Sequence, residues 1–241
     1  MKSKFSVRII LGFCVFAIVL SVCIYWGNDV LIAFESGVPS MSSGTYSDGS
    51  ISHSKRLPSY GANFSTYSRF GSLIGRTNVH DRVRAAMIDA YSQLAQELPS
   101  RTFVFGETGW PNGGRFWPHK THENGLSVDF MVPVDDMKGN ASIFPTNIFN
   151  KFGYNVEFDS TGRSGEYQIN FDVMAKHLKA IRNSANKNGL NIRVVIFDNS
   201  LQKVLFSSSE GSSLPPLLKF SKKPAWVRHD EHYHIDFEIK K

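Results

Sequence analysis

His229-Asp-Glu-His232-Tyr-His234-Ile-Asp-Phe-Glu-Ile239 lies at the end of a 241-residue chain and alternates with a period of two. Tyr233, Ile235, Phe237 and Ile239 interleave with His232, His234, Asp236 and Glu238. Side chains along a strand point alternately to its two faces, so the pattern predicts a strand with its apolar set in the core. Both histidines then share the other face, about 7 Å apart at a rise of about 3.4 Å per residue.

A second cluster stands more than a hundred residues upstream: His119-Lys-Thr-His122-Glu-Asn-Gly-Leu-Ser-Val-Asp129. Together the two clusters hold five of the eight histidines of the chain. Asn124-Gly125 predicts a turn leading into a strand over 126–132, with Ser127, Asp129 and Met131 on one face. His122 from the loop, Asp129 from this strand and His234 from the last one can converge as three protein ligands, leaving a fourth position for water. Neutral imidazole and carboxylate at an open tetrahedral site favour zinc. Zinc lowers the pKa of its water to about 7 and polarises a carbonyl, which points to a zinc hydrolase. A base must then move the proton. His232 is the first candidate and His229 an assistant. Glu231 ranks behind them, because a regular strand aims it away from the metal.

The remaining pattern supplies the scaffold. Val83, Met87, Ala90, Tyr91, Leu94 and Leu98 form one stripe of a helix over 81–98, closed by Pro99. His80 at its start reads as a capping or surface residue. A strand is expected over 102–105, a buried strand over 193–197 and a short helix near 200–206. A second amphipathic helix covers about 171–187, with Val173, Met174, Leu178 and Ile181 inward and His177 expected in solvent. Residues 135–170 read as surface loops. Strands with interspersed helices predict an α+β domain on an antiparallel sheet with flanking helices.

Ile9 to Trp26 contains no charge, and its eighteen residues would span about 27 Å as a helix, close to the hydrocarbon thickness. Lys2, Lys4 and Arg8 precede it, while Asp29 and Glu35 follow, which leaves the N-terminus in the cytoplasm and exports the rest. Residues 1–36 therefore read as a signal anchor, with a cleaved signal peptide as the alternative. Residues 37–63, rich in Ser, Gly and Pro, read as a flexible linker, and 64–241 as the metal-bearing domain. The net charge is +6. The anchor segment contributes three positive and two negative charges, so the remainder carries +5. A mildly basic domain suits a polyanionic partner such as a cell-wall polymer, a membrane surface or nucleic acid, or serves solubility alone, and the export signal disfavours nucleic acid. Both cysteines, Cys14 and Cys23, lie in the apolar run, so the domain holds no disulfide and no thiolate ligand.

The string Gly113-Gly114-Arg115-Phe-Trp-Pro118-His119-Lys-Thr-His122-Glu-Asn-Gly125-Leu-Ser-Val-Asp129, followed by His229-x-x-His232-x-His234, resembles the penicillin-insensitive murein endopeptidases. These belong to the wider group of lysostaphin-, D-Ala-D-Ala metallopeptidase- and hedgehog-like zinc proteins. The resemblance covers roughly residues 70–241. It implies hydrolysis of D-alanyl to diaminopimelate cross-links in peptidoglycan, in the periplasm. It further implies His122, Asp129 and His234 as zinc ligands and His119 as an additional ligand or close neighbour. His229 and His232 take the catalytic and orienting roles, and Arg115 becomes a candidate for binding a substrate carboxylate. Trp110, Trp117 and Trp226 are candidates for the cleft wall. A D,D-carboxypeptidase or dipeptidase on the same scaffold and a non-catalytic zinc-stabilised wall-binding module are the alternative functions. The resemblance implies cysteines in the domain, and this chain departs from it by having none there. The sequence leaves oligomeric state open.

Overall fold

The structure, a computed structural model, describes residues 2–223 and 227–240, with side chains from residue 8 onward; Trp226 lies outside the described residues. The helices are α1 (Lys2–Ile32), α2 (Arg69–Leu73), α3 (Asp81–Glu97), α4 (Phe171–Lys187) and α5 (Asn199–Ser207). The strands in chain order are β1 (Met41–Gly44), β2 (Gly49–Ser52), β3 (Lys55–Arg56), β4 (Phe64–Thr66), β5 (Asn78–Val79), β6 (Phe103–Phe105) and β7 (Ser127–Met131). They continue with β8 (Val134–Asp136), β9 (Ala141–Ser142), β10 (Arg163–Ser164), β11 (Tyr167–Ile169), β12 (Leu190–Ile196) and β13 (His232–Ile239).

The chain is α+β. Its central sheet runs β12-β13-β7-β6-β4. All pairs in it are antiparallel except β4–β6, where α2 and α3 carry the chain over between two parallel strands. Tyr233, Ile235 and Phe237 of β13 are fully buried, as their alternation requires. They pack beneath α3 and α4, whose inward stripes include Val83, Met87, Leu94, Met174, Leu178 and Ile181. Side-chain caps start these helices: His80 accepts from the Arg82 amide and Asn170 from the Val173 amide. At about 25 cal/mol per Å² of apolar area, burial of each such side chain stabilises the fold by about 1.5–3 kcal/mol.

Three expectations are corrected. His177 is fully buried rather than solvated, because it lies four residues from Val173 and Ile181 and so sits on their stripe. Its ring packs against Tyr91, Phe103, Phe130 and Tyr233, and its Nδ1 shares a hydrogen bond with the Tyr233 hydroxyl. Residues 135–170 hold a small sheet ordered β10-β11-β8-β9, besides loops. Residues 37–63 are not a loose tether. β1 and β2 form a hairpin, and Ile51 and Leu57 are core residues. Sparse apolar residues suffice there, because the polar strands satisfy their backbone groups by pairing.

The apolar helix also ends on the domain. Residues 8–32 of α1 are long and apolar enough to cross a membrane. Past Trp26 the helix meets protein: the buried Asn28 amide donates to the Leu57 carbonyl and to Ser59 Oγ, and its Oδ1 accepts from Arg56. Asp29 accepts the Ser59 amide, and Glu35 accepts from Arg84. A Cβ on Gly27 would fall 2.7 Å from Leu73 Cδ1, so the lack of a side chain there lets α1 and α2 approach.

Candidate metal centre and active-site cleft

Register builds the first half of the site. β13 and β7 pair so that Asp236 faces Ser127, His234 faces Asp129 and His232 faces Met131. Directly opposed residues project on the same side of the sheet with Cβ atoms about 5 Å apart. Asp129 and His234, 105 positions apart in sequence, therefore meet: His234 Nδ1 lies 2.9 Å from Asp129 Oδ1.

The loop before β7 supplies the other half. His122 takes a left-handed conformation, φ +74°, and so does Gly125, φ +73°. A Cβ on Gly125 would lie 2.5 Å from Ile51 Cδ1 and 3.1 Å from the His80 amide nitrogen, so glycine is required. The β1–β2 hairpin grips this loop: Ser42 Oγ donates to the Asn124 carbonyl, and the Glu123 amide donates to the Tyr46 carbonyl. These contacts hold a fully buried His122 ring with Nε2 3.1 Å from His234 Nδ1 and 3.2 Å from Asp129 Oδ1.

Three potential ligand atoms thus cluster at mutual distances of 2.9, 3.1 and 3.2 Å. Ligands about 2.0–2.2 Å from a tetrahedral ion stand about 3.3–3.6 Å apart, so the triangle needs to open by only a few tenths of an ångström. Each imidazole turns its outer nitrogen to an oxygen acceptor and its inner nitrogen to this cluster. His122 Nδ1–H donates to the Thr108 carbonyl at 3.1 Å, which leaves Nε2 as the inward nitrogen. His234 Nε2–H donates to Asp236 at 2.8 Å, which leaves Nδ1 as the nitrogen that binds an ion once it gives up its proton. Such outer partners fix ring orientation and raise ligand basicity. Asp236 is itself held by the Ser127 hydroxyl and by Arg193, whose guanidinium lies over the Tyr46 ring. His119 completes a His119–His122–Asp129 group whose donor atoms all lie within 4.8 Å of one another. The residues fit a divalent cation.

The electrostatics agree. Burial lowers the proton affinity of His122 and keeps it neutral. Burial would do the same to His234, but Asp236 and Asp129 outweigh it and raise the pKa to about 10. A site that holds a proton this strongly is one that attracts positive charge. Burial opposes ionisation of Asp129, yet the surrounding imidazoles keep it well below the usual carboxylate range.

Around this centre stand the groups that could move a proton. His232 Nδ1–H donates to Glu231 at 2.9 Å, and its Nε2 lies 3.8 Å from Asp129 Oδ2. Burial opposes its protonation, but Glu231 and Asp129 prevail and raise its pKa. His229 packs against it with ring centroids 4.6 Å apart and donates from Nδ1 to the Val227 carbonyl. Burial, with the neighbouring His232, pulls His229 down to about 4. Glu231 is on the cleft, because the regular strand begins only at His232.

Three residues of the site, Glu107, Arg76 and Tyr154, carry no local sequence signal. Glu107 accepts from His119 at 2.6 Å and forms an ion pair with Arg76. Burial opposes its ionisation, but His119 and Arg76 hold it at about 2. The Tyr154 hydroxyl donates to Asp129 at 3.0 Å and accepts the Glu107 amide. These three reach the site from separate segments, and only the fold unites them. Asp236, which braces His234, stands two residues further along the histidine face of β13.

A cleft of about 480 Å³ opens beside the centre, lined among others by Tyr67, Phe70, Ile74, Arg76, Glu107, His119, Phe152, Tyr154, Glu231 and His232. Its guanidinium is that of Arg76, while Arg115 is exposed outside the cleft lining. Trp110 packs on Phe116 and Arg76, and Trp117 is 74% exposed; neither lines the cleft, whose wall at this point is Pro118.

No curated protein matches the chain in sequence. A family model does, over residues 42–241, and the match includes the β1–β2 hairpin, both histidine clusters and the cleft. By that match over most of its length, the chain belongs to the penicillin-insensitive murein endopeptidase family of metallopeptidases.

Proposed function

We propose that the chain is a zinc-dependent endopeptidase that hydrolyses D-alanyl to diaminopimelate cross-links of peptidoglycan. In this reading it works in the periplasm and is held to the inner membrane by α1. The observation that carries the reading is the convergence of His122 Nε2, Asp129 Oδ1 and His234 Nδ1, with the other nitrogen of each imidazole already committed. The family match supports murein as the substrate. Anchorage is supported by the docked end of α1, because residues 28–35 are engaged with the domain and not extended for cleavage.

His122, Asp129 and His234 would hold the ion, with His119 as a further donor. When bound, zinc supplies Lewis acidity that makes a water acidic near neutral pH and polarises a scissile carbonyl. His232 is assigned the proton transfer: Glu231 holds its Nδ1–H, so Nε2 is the atom that takes up a proton and returns it to the leaving amine. His229, neutral and packed against it, fixes the ring plane. Tyr154 orients Asp129, and Glu107 with Arg76 orients His119. Arg115, exposed beyond the cleft, is assigned to a carboxylate on a distant part of the substrate.

The test is a muropeptide digest of purified sacculi by the full chain in detergent, with and without a chelator. Loss of cross-linked dimers without trimming of terminal D-alanine, abolished by chelation and restored by zinc, is the expected result. Terminal trimming alone, or turnover indifferent to the chelator, refutes the assignment.

A further inference from the structure

The short helix α2 belongs to two structures at once. On one side it meets the end of α1: the Arg69 guanidinium lies 3.8 Å from the centre of the Tyr25 ring and donates to the Tyr25 carbonyl at 2.8 Å. On the other side Phe70, Gly71 and Ile74 line the cleft. Tyr25 and Trp26 close the uncharged run that begins after Arg8, and tyrosine and tryptophan at the end of a spanning helix sit at the boundary between hydrocarbon and headgroups. With Arg8 at the inner boundary, the helix reaches the outer one at about Trp26, roughly 27 Å on. The residues that touch Tyr25 are thereby held at headgroup level.

What α2 and its neighbours present there suits that layer. Tyr60, Phe70 and Ile74 are 51, 50 and 46% exposed, and the Arg69 guanidinium also lies 5.1 Å from the Tyr60 ring. Half-exposed aromatic and aliphatic side chains around a guanidinium match an interface with apolar acyl carbons beneath phosphate groups. The docking through Asn28, Asp29 and Gly27 leaves this collar no slack against the anchor.

We propose that Tyr60, Phe70 and Ile74 seat in the headgroup layer of the outer leaflet, so that the cleft opens at the membrane surface. This rests on the reading of α1 as a retained membrane anchor. Spin labels test it in the full chain carrying Cys14→Ala and Cys23→Ala, reconstituted in phosphatidylethanolamine/phosphatidylglycerol vesicles. Single labels go at Tyr25→Cys, Tyr60→Cys, Phe70→Cys and, as an aqueous reference, Lys203→Cys. The expected result at position 60 or 70 is a several-fold loss of collisions with a water-soluble nickel chelate relative to position 203, with oxygen collisions raised as at position 25. Protection at either position supports the collar, since Phe70→Cys could loosen α2 whereas Tyr60 lies outside it. If both match position 203 while position 25 is protected, the collar is overturned and the anchor stands. If position 25 also matches position 203, the anchor reading itself fails and the collar with it.

Discussion

Asp236→Asn removes one charge from behind the metal centre while keeping the shape of the side chain. Asp236 is 3% exposed and accepts from His234 Nε2, Ser127 Oγ and Arg193. The rise of His234 from an ordinary 6.5 to about 10 is a net gain of about 5 kcal/mol that remains after burial has opposed it, and Asp236 and Asp129 supply it. If roughly half of that belongs to Asp236, its loss weakens cation binding by about 2 kcal/mol, or roughly thirtyfold, within the 10–100-fold range of such outer contacts. The proton competes for the same His234 nitrogen, so the loss depends on pH. In the native protein His234 must release a proton to bind metal at any pH below about 10, and zinc affinity should climb about tenfold per pH unit from 7 towards that value. In Asp236→Asn the His234 pKa falls, the climb ends sooner, and the two proteins diverge as pH rises. Chelator-buffered zinc titrations from pH 6.5 to 9.5 measure this. A ratio of affinities that stays constant across that range, or no difference at all, would refute the field-based reasoning.

His232→Ala should keep its zinc, by elemental analysis, yet lose about 10²–10⁴ in turnover of cross-linked muropeptides; full activity would remove its assigned role. Gly125→Ala forces a side chain into φ +73° against Ile51, at a conformational cost of about 1–2 kcal/mol before any clash. Thermal unfolding with and without zinc should show lower stability and a smaller zinc-dependent shift. His177 is depressed by burial to about 3, so below pH 6.5 the unfolded chain takes up a proton that the folded one refuses. Stability falls as pH drops through that window by about 1.4 kcal/mol per unit. Chemical unfolding of His177→Phe at pH 7 and pH 5 should lack this component, and identical pH slopes in both proteins would contradict it.

The legible parts of the molecule are those where function and folding share one periodicity. Alternation in β13 announced both its core face and its histidine face, and the antiparallel register then set His234 opposite Asp129. The turn at Gly125 was readable because glycine is cheap where φ is positive. Contacts closed over long distances were not readable: Glu107, Tyr154 and Arg76 lie in segments whose local pattern says nothing of the centre they surround. His177 is illegible because the helix buries a wider face than the stripe of Val173, Met174, Leu178 and Ile181. The hairpin over 41–52 is equally hidden, because serine and glycine suit paired polar strands and turns as well as flexible linkers, and Tyr46, its link to the Arg193–Asp236–His234 chain, is flanked by polar residues.

Anomalous scattering at the zinc edge from crystals of the full chain addresses the metal centre itself. One peak should stand about 2.0–2.2 Å from His122 Nε2, Asp129 Oδ1 and His234 Nδ1 together, and it should be missing in Asp129→Ala. A peak that omits any of these three atoms, or one that persists in Asp129→Ala, would show that the centre is not built as described.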